Sequence, residues 1–304
     1  MGRLRGRVVV ARGKHCQVET PQGRIDCVLR GILKKEKLAS VDLVAVGDWV
    51  EVTLGLDGSG VIESIEPRTS RFSRPAAGRP NIEQVIVANA TQLIICQSAR
   101  DPRVKNTSID RYLVMAEIGG LRPVICINKM DLDRGGEALE TAALYRDLDL
   151  EVLLTTAIRC EGVEEFRKVL AGEISILVGP SGVGKSTLLN CIQPGLGLRV
   201  QEVSRKWSRG KHTTSSVELF PLDDGGWVGD TPGLRELGLW GVGEADLAGY
   251  FREFETFAAG CRFATCTHSH EPGCGVAAAV EEGRIRGARY DSYLRILQSL
   301  REPH

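Results

Sequence analysis

The first 66 residues alternate apolar and polar positions in short runs, which is the pattern of half-buried β-strands. Five such runs cover residues 7–11, 17–20, 24–29, 49–54 and 60–65, and turn sequences such as Pro21-Gln22-Gly23 separate them. Five short strands in so few residues predict a small closed barrel, and the OB-fold is the common five-stranded barrel that binds oligonucleotides. An SH3-like or purely structural barrel is the alternative.

Residues 67–80 contain three prolines, Gly78 and four arginines. Proline disfavours helix and cannot donate a ladder hydrogen bond, so this stretch predicts an extended linker.

From residue 81 the pattern alternates between strand and helix. Apolar runs at 92–97, 123–127, 151–155 and 174–178 are interspersed with helical stretches at 109–118, 137–148 and 163–170. This alternation predicts a largely parallel sheet covered on both faces, with ligands bound beyond the carboxyl ends of its strands. Helical patterns at 247–258, 276–284 and 290–300 predict a small C-terminal helical domain.

A phosphate-binding loop is predicted between the apolar run at 174–178 and a following helix, where the sequence reads Gly179-Pro180-Ser181-Gly182-Val183-Gly184-Lys185-Ser186-Thr187. Glycines let successive N–H groups face phosphate oxygens, Lys185 would reach the β- and γ-phosphates, and the Ser186 hydroxyl would bind Mg²⁺. An ordinary glycine-rich turn is disfavoured by the full match.

The sequence Asn128-Lys129-Met130-Asp131 directly follows a predicted strand. The Asp131 carboxylate can accept hydrogen bonds from the ring N–H and the amino group of guanine, a donor pair that adenine lacks. Asn128 would position the loop, and the Lys129 stem would cover the base. The nucleotide is therefore predicted to be GTP, and a P-loop ATPase is the disfavoured alternative.

Further nucleotide contacts are predicted at two other strand ends. A backbone N–H of Thr156 or Ala157 could reach guanine O6, with a helix N-cap as the rival interpretation. Asp230 and Gly233 of Asp230-Thr231-Pro232-Gly233 would lie near Mg²⁺ and the γ-phosphate, and Thr213 or Thr214 would be a second hydroxyl ligand of Mg²⁺.

The order of these motifs is unusual, because the base-binding sequence precedes the phosphate loop. Most GTPases have the reverse order, so the sequence predicts a circular permutation. The fold tolerates it, because the loops converge on one sheet edge however the strands are joined.

The composition of the chain bears on its binding partners and on its cellular location. The chain has a formal net charge of zero and 26% charged residues, so any attraction to nucleic acid must come from local basic clusters such as the one formed by Arg3, Arg5 and Arg7. No apolar run is long enough to span a membrane, and a cytoplasmic protein is expected. Six scattered cysteines are typical of reduced thiols rather than a disulfide framework.

The remaining three cysteines cluster with a histidine near the C-terminus. Cys261, Cys266, His268 and Cys274 form the ligand set of a closed structural Zn²⁺ site. His270 is the competing imidazole, and free cysteines are the alternative.

Taken together, the basic barrel, the permuted GTPase motifs and the zinc ligands resemble the RsgA/YjeQ family of bacterial GTPases that depend on the small ribosomal subunit. The resemblance implies an OB-fold at 1–66, a linker at 67–80, a circularly permuted α/β GTPase domain at 81–238 and a helical zinc-binding domain at 239–304. It also implies guanine contacts from the 128–131 motif, phosphate and Mg²⁺ contacts from residues 182–187, contact with small-subunit rRNA and a role late in maturation of that subunit. We expect a monomer.

The catalytic residues are Lys185, Thr213 or Thr214 and, as a hypothesis, His212. Leu234 stands where many GTPases carry a glutamine that orients water, so intrinsic hydrolysis should be slow. His212 is the proposed replacement, and a surface histidine that contacts RNA is the alternative. A GTP-sensing RNA-binding module with negligible turnover is the rival to an enzyme.

Overall fold

The structure is a computed structural model that describes residues 3–13, 15–30, 43–194, 196, 217–231 and 238–301. Its first five strands are β1 (Arg3–Arg12), β2 (His15–Thr20), β3 (Gly23–Leu29), β4 (Trp49–Leu54) and β5 (Gly60–Ile65). Four of these strands begin within two residues of the predicted positions. β1 begins earlier, at Arg3, and this extension closes the barrel.

The five strands form a closed barrel in the order β1-β2-β3-β5-β4, and β4 returns to pair with β1. The amino-terminal half of β1 pairs with β4 and its carboxyl-terminal half with β2, with a bulge between Val8 and Val10 that bends the strand. Small apolar side chains fill the interior, among them Val18, Val50 and Ile62. The predicted barrel is confirmed.

Residues predicted as a linker form a hairpin instead. Strand β6 (Arg71–Ala76) pairs antiparallel with β7 (Arg79–Ala88) in a two-stranded sheet. The buried carboxylate of Asp48 fixes the approach to this hairpin, because it accepts two 2.8 Å hydrogen bonds from the Arg68 guanidinium. Proline is tolerated because a strand with a single neighbour does not need every N–H.

The largely parallel sheet that was predicted from residue 81 onward follows. Strands β8 (Gln92–Ser98), β9 (Arg122–Asn128), β10 (Glu151–Leu154), β11 (Ile174–Val178) and β13 (Trp227–Asp230) are parallel in the order β10-β9-β8-β11-β13, and the short β12 (Glu218–Pro221) adds antiparallel to β13. The strand that leads to the phosphate loop, β11, therefore lies between β8 and β13. A single bridge between Val10 and Glu218 joins this sheet to the barrel.

Helices cover both faces of the sheet, as the buried strands require. One face packs under α1 (Asn106–Gly119) and α2 (Glu137–Arg146), and the other under α3 (Val163–Leu170) and α4 (Lys185–Ile192). Successive side chains of β8 point to opposite faces of the sheet. Leu93 and Ile95 belong to the core under α1 and α2, and Ile94 belongs to the core under α3 and α4.

The C-terminal region contains α5 (Arg252–Ala258), α6 (Gly275–Glu281) and α7 (Gly287–Arg301). Its aromatic side chains Phe251, Phe254 and Tyr293 pack against one another and belong to the same hydrophobic core as Ile109 and Met115 of α1. The core of the predicted C-terminal helical domain is thus continuous with the core on one face of the parallel sheet.

A buried ion pair reinforces this junction. Arg289 of α7 contacts Asp110 of α1 and donates a 2.6 Å hydrogen bond to Glu253 of α5, while Tyr145 of α2 donates a 2.7 Å hydrogen bond to Asp110. None of the helices in the described ranges is long and apolar enough to cross a membrane.

Candidate functional site

The predicted phosphate loop lies between β11 and α4, at the carboxyl end of the sheet. Gly179, Gly182 and Gly184 all have positive φ angles, and a Cβ at Gly184 would lie only 2.3 Å from the Asn128 side-chain nitrogen. Glycine is therefore required at position 184 both by its conformation and by the close approach of a second motif.

Residues of the loop present polar groups toward solvent at the start of α4. Ser181, Gly182 and Thr187 are exposed, Ser186 is half-buried, and Val183 anchors the loop in the core. The Lys185 ammonium donates hydrogen bonds of 2.9 and 3.2 Å to the carbonyls of Gly179 and Pro180. Its charge is thus held over the concave side of the loop, where phosphate oxygens would lie.

Asn128, which is buried, holds three segments together. Its side-chain nitrogen donates a 2.9 Å hydrogen bond to the Val183 carbonyl of the phosphate loop. Its side-chain oxygen accepts hydrogen bonds from the Thr155 hydroxyl at 3.1 Å and the Ala157 N–H at 3.0 Å. The structure thus brings together the three motifs that the sequence analysis assigned to base and phosphate.

Asp131 carries a buried oxygen that accepts no hydrogen bond from any described residue. A buried carboxylate oxygen without a donor costs free energy, so its presence at the mouth of the site indicates a ligand with N–H groups. Lys129 adopts a left-handed conformation and its ammonium contacts the Asp101 carbonyl, so its stem runs along the pocket toward the loop that follows β8.

The geometry of residues 155–157 differs from the predicted one, in which a backbone N–H of Thr156 or Ala157 is free to reach guanine O6. The Ala157 N–H is engaged by Asn128, and Thr156 precedes a 3₁₀ turn (Ala157–Arg159) without a side-chain capping hydrogen bond. Neither residue is exposed. Their contact with guanine remains a prediction.

Strand β13 ends beside the strand that leads into the phosphate loop. Its last residue, Asp230, pairs with Leu177, and the adjacent Thr231 hydroxyl donates a 2.9 Å hydrogen bond to the Leu177 carbonyl. The backbone thus places Asp230 at the same carboxyl end of the parallel sheet as Lys185. The Asp230 side chain, His212, Thr213, Thr214 and Gly233 lie outside the described residues.

A second candidate site lies in the C-terminal region, where Cys261, Cys266, His268 and Cys274 place their ligand atoms within 4.8 Å of one another. Sγ of Cys261 lies 4.0 Å from Sγ of Cys274, and His268 Nδ1 lies 3.4 Å from Cys261 Sγ and 3.5 Å from Cys274 Sγ. Tetrahedral zinc with bonds of about 2.3 Å to sulfur and 2.0 Å to nitrogen requires separations of about 3.8 and 3.5 Å. The four residues fit a metal of that size, and the sulfurs are too far apart for a disulfide.

Surrounding groups hold this cluster in place. The carbonyls of His268 and Thr267 accept hydrogen bonds of 2.7 and 2.6 Å from Tyr290 and Tyr293 of α7. Burial lowers the pKa of His268, which keeps the imidazole neutral as a ligand must be. His270, the competing imidazole, is exposed and contacts the Ser269 hydroxyl instead.

The barrel has fewer free charges than its arginine count indicates. Arg3 pairs with Glu51 at 3.1 Å and Arg5 with Glu66 at 2.7 Å. The guanidinium carbons of Arg5 and Arg7 also lie 4.1 and 4.4 Å from the centre of the Trp49 ring. A base that stacked on Trp49 would therefore compete with two cations.

Two protein-family models match this chain, one over the barrel and one over the region of the parallel sheet. A family model described as RsgA GTPase matches residues 65–240, and one described as RsgA N-terminal domain matches residues 5–62. Curated relatives named small ribosomal subunit biogenesis GTPase RsgA include one from Caldanaerobacter subterraneus subsp. tengcongensis, 40% identical over 302 residues, which covers 99% of this chain and 97% of the relative. Another, from Moorella thermoacetica, is 42% identical and covers 91% of this chain and 90% of the relative.

Solved structures agree over the full length. YjeQ from Thermotoga maritima is 36% identical, with a TM-score of 0.79 and complete coverage of both chains. YloQ, described as a circularly permuted GTPase, is 29% identical, with a TM-score of 0.73 and coverage of 100% of this chain and 97% of that one. The chain belongs to the RsgA family of circularly permuted GTPases.

Proposed function

We propose that this chain hydrolyses GTP when it is bound to the small ribosomal subunit, and that it acts as a late maturation checkpoint for that subunit through contacts with rRNA. The observation that carries the proposal is the buried, unpartnered oxygen of Asp131. Asp131 and Lys185 both follow the carboxyl ends of parallel strands. The printed name of the relatives, small ribosomal subunit biogenesis GTPase, supports the choice of partner.

In this proposal the base-binding end of the site supplies specificity. The Asp131 carboxylate accepts the ring N–H and amino group of guanine, which would satisfy the oxygen that has no other donor. Asn128 acts indirectly, because its amide is already committed to Val183, Thr155 and Ala157. Thr156 and Ala157 line the same end and are kept as candidate guanine contacts.

The phosphate end supplies charge stabilisation. Lys185 exchanges its contacts with loop carbonyls for the β- and γ-phosphates, and the N–H groups of Gly182, Gly184 and Ser186 are assigned to phosphate oxygens. Ser186, one of Thr213 and Thr214, and Asp230 would hold Mg²⁺, with Asp230 acting through water. The metal would neutralise charge on the β- and γ-phosphate oxygens.

The position of the attacking water is assigned to His212. Leu234 cannot hydrogen-bond water, and His212 adjoins the two candidate threonine ligands in sequence. The partner would bring the imidazole to the site, so that hydrolysis depends on the ribosomal subunit. Turnover of His212→Ala with and without small subunits tests this assignment, and retained stimulation contradicts it.

The C-terminal cluster is proposed to bind one structural Zn²⁺. All four ligand positions come from the protein, which leaves no open position for catalysis. The metal would fix the loop between α5 and α6, and through Tyr290 and Tyr293 it would fix that loop on α7. The domain limits of 1–66, 81–238 and 239–304 belong to this proposal.

Co-sedimentation with purified ribosomal subunits tests the proposed partner. We expect the chain to pellet with small subunits in the presence of a non-hydrolysable GTP analogue, to pellet less with GDP, and not to pellet with large subunits. Equal recovery with both subunits, or the same recovery with both nucleotides, would contradict the proposal.

A further inference from the structure

Two thiols meet at the boundary between the base-binding segment and the phosphate helix. Cys160 ends the 3₁₀ turn (Ala157–Arg159), and Cys191 lies in the last turn of α4. Their sulfurs are 2.9 Å apart, and a disulfide of about 2.05 Å requires an approach of roughly 0.9 Å.

Hydrogen bonds connect this pair to the nucleotide site. The Cys191 thiol donates a 3.0 Å hydrogen bond to the Ala157 carbonyl. The N–H of the same Ala157 donates to Asn128, which in turn holds Val183 of the phosphate loop. A change at Cys191 therefore acts on a residue that Asn128 uses to align the pocket.

We infer that Cys160 and Cys191 form an oxidative modification site, where a low-molecular-weight disulfide generates an intrachain disulfide that slows exchange of guanine nucleotide. This inference rests on the proposal that the segment around Ala157 and α4 bind opposite ends of the nucleotide. In this inference, release of the nucleotide involves separation of these two segments. A covalent bond between residues 31 positions apart would restrict that separation.

The chemistry needs one molecule of reagent disulfide for each pair. The Cys160 thiolate attacks one reagent sulfur, which forms a mixed disulfide and expels the first reagent thiolate. The Cys191 thiolate then attacks the Cys160 sulfur and expels the second. Two protein thiols are oxidised to one disulfide, the reagent is reduced to two thiols, and the two protein protons pass to the leaving thiolates.

Exposure sets the order of these steps. Cys160 is exposed and Cys191 is half-buried, so the reagent meets Cys160 first. Burial and the neighbouring Cys160 raise the pKa of Cys191 to about 11, so its thiolate is scarce and does not compete for the reagent. Cys191 reacts second, because the Cys160 sulfur is already adjacent and the attack is intramolecular. The other cysteines are less accessible, because Cys16, Cys27, Cys96 and Cys126 are buried and the remaining three belong to the metal cluster.

Peptide mapping tests whether the bond forms. The full-length, zinc-loaded protein is incubated with oxidised glutathione, and free thiols are blocked before digestion with trypsin. Cleavage after Arg159, Arg167, Lys185 and Arg199 places Cys160 and Cys191 on separate peptides. We expect a disulfide-linked pair of these two peptides, which dithiothreitol separates, with unchanged zinc content. Absence of the linked pair would overturn the inference.

The rate of nucleotide release tests whether the disulfide slows exchange. Release of a fluorescent GDP analogue should be several-fold slower from the oxidised protein and should return to the initial rate after reduction. Cys160→Ser and Cys191→Ser serve as matched controls, with the same release rate before and after treatment. An unchanged rate in protein shown to carry the disulfide, or equal slowing in the two variants, would overturn the inference. Failure of the reduced protein to bind guanine nucleotide would instead contradict the proposed function, and it would remove the basis of the inference about Cys160 and Cys191.

Discussion

The side-chain amide of Asn128 donates a 2.9 Å hydrogen bond to the main-chain carbonyl of Val183. These residues are 55 positions apart, and the bond ties the base-binding sequence directly to the phosphate loop. A direct hydrogen bond thus links the two ends of the proposed nucleotide site.

Replacement of Asn128 with alanine should disrupt this alignment. The Val183 carbonyl, the Thr155 hydroxyl and the Ala157 N–H would each lose a buried partner, and a buried polar group left unpaired costs about 1–3 kcal/mol. We expect GDP affinity to fall at least about fivefold, which corresponds to the lower end of one such loss. Calorimetric titration measures the affinity, and Asn81→Ala, at an exposed position of β7, is the control. An affinity within twofold of wild type would contradict the assigned role.

Asp131→Asn should abolish discrimination between guanine and adenine. The change replaces one buried acceptor with a donor, which opposes the N–H groups of guanine, and hydrogen-bonding sites reject such mismatches by factors of about 100 or more. Competition of ATP against labelled GTP measures the ratio. The neighbouring Asp133 instead accepts hydrogen bonds from the N–H groups of Ala138 and Leu139, so Asp133→Asn should retain the preference. Equal selectivity in the two variants would refute the assignment.

His268→Ala should lose bound zinc, whereas His270→Ala should keep it. His268 Nδ1 lies within 3.5 Å of two cysteine sulfurs, and His270 is exposed and contacts Ser269. Because the C-terminal core is continuous with that of α1, loss of the metal should lower Tm for the whole chain by more than about 5 °C, as expected for a loss of a few kcal/mol. Elemental analysis and thermal unfolding measure both effects. Stoichiometric zinc in His268→Ala would contradict this ligand set.

Arg289→Ala should destabilise the contact between α1 and α7 strongly. Asp110 is fully buried, and removal of its cation leaves an uncompensated charge, which costs about 3–5 kcal/mol. Arg286 provides a matched control, because it pairs with Asp147 at 3.0 Å where both side chains are more than half exposed. Such exposed pairs contribute about 0–1 kcal/mol. Denaturant unfolding compares the two variants, and equal losses would contradict the role of burial.

Much of the fold was predictable because its periodicity is local. The run at 174–178 coincides with β11 and that at 163–170 with α3. Strand β12 was missed because Glu218–Pro221 shows neither alternation nor a continuous apolar run, and it ends in a proline. The hairpin was missed because Pro75 argues against a strand unless the strand is known to have one neighbour.

The site was predictable as motifs but not as a network. Spacing alone singled out Lys185 and Asp131 as candidates, and it singled out the four Cys and His residues that the structure brings together. The bond between Asn128 and Val183 depends on how β9 and β11 are placed in the sheet, and the pair of Asp110 and Arg289 spans 179 positions. No local pattern encodes contacts of that separation, because they arise only after the chain has folded.

The most direct test of the proposed function is single-turnover hydrolysis of GTP with and without purified small ribosomal subunits. The account predicts slow hydrolysis by the free chain, because Leu234 cannot orient water, and a large acceleration by small subunits that large subunits do not reproduce. An identical rate in all three conditions would contradict it.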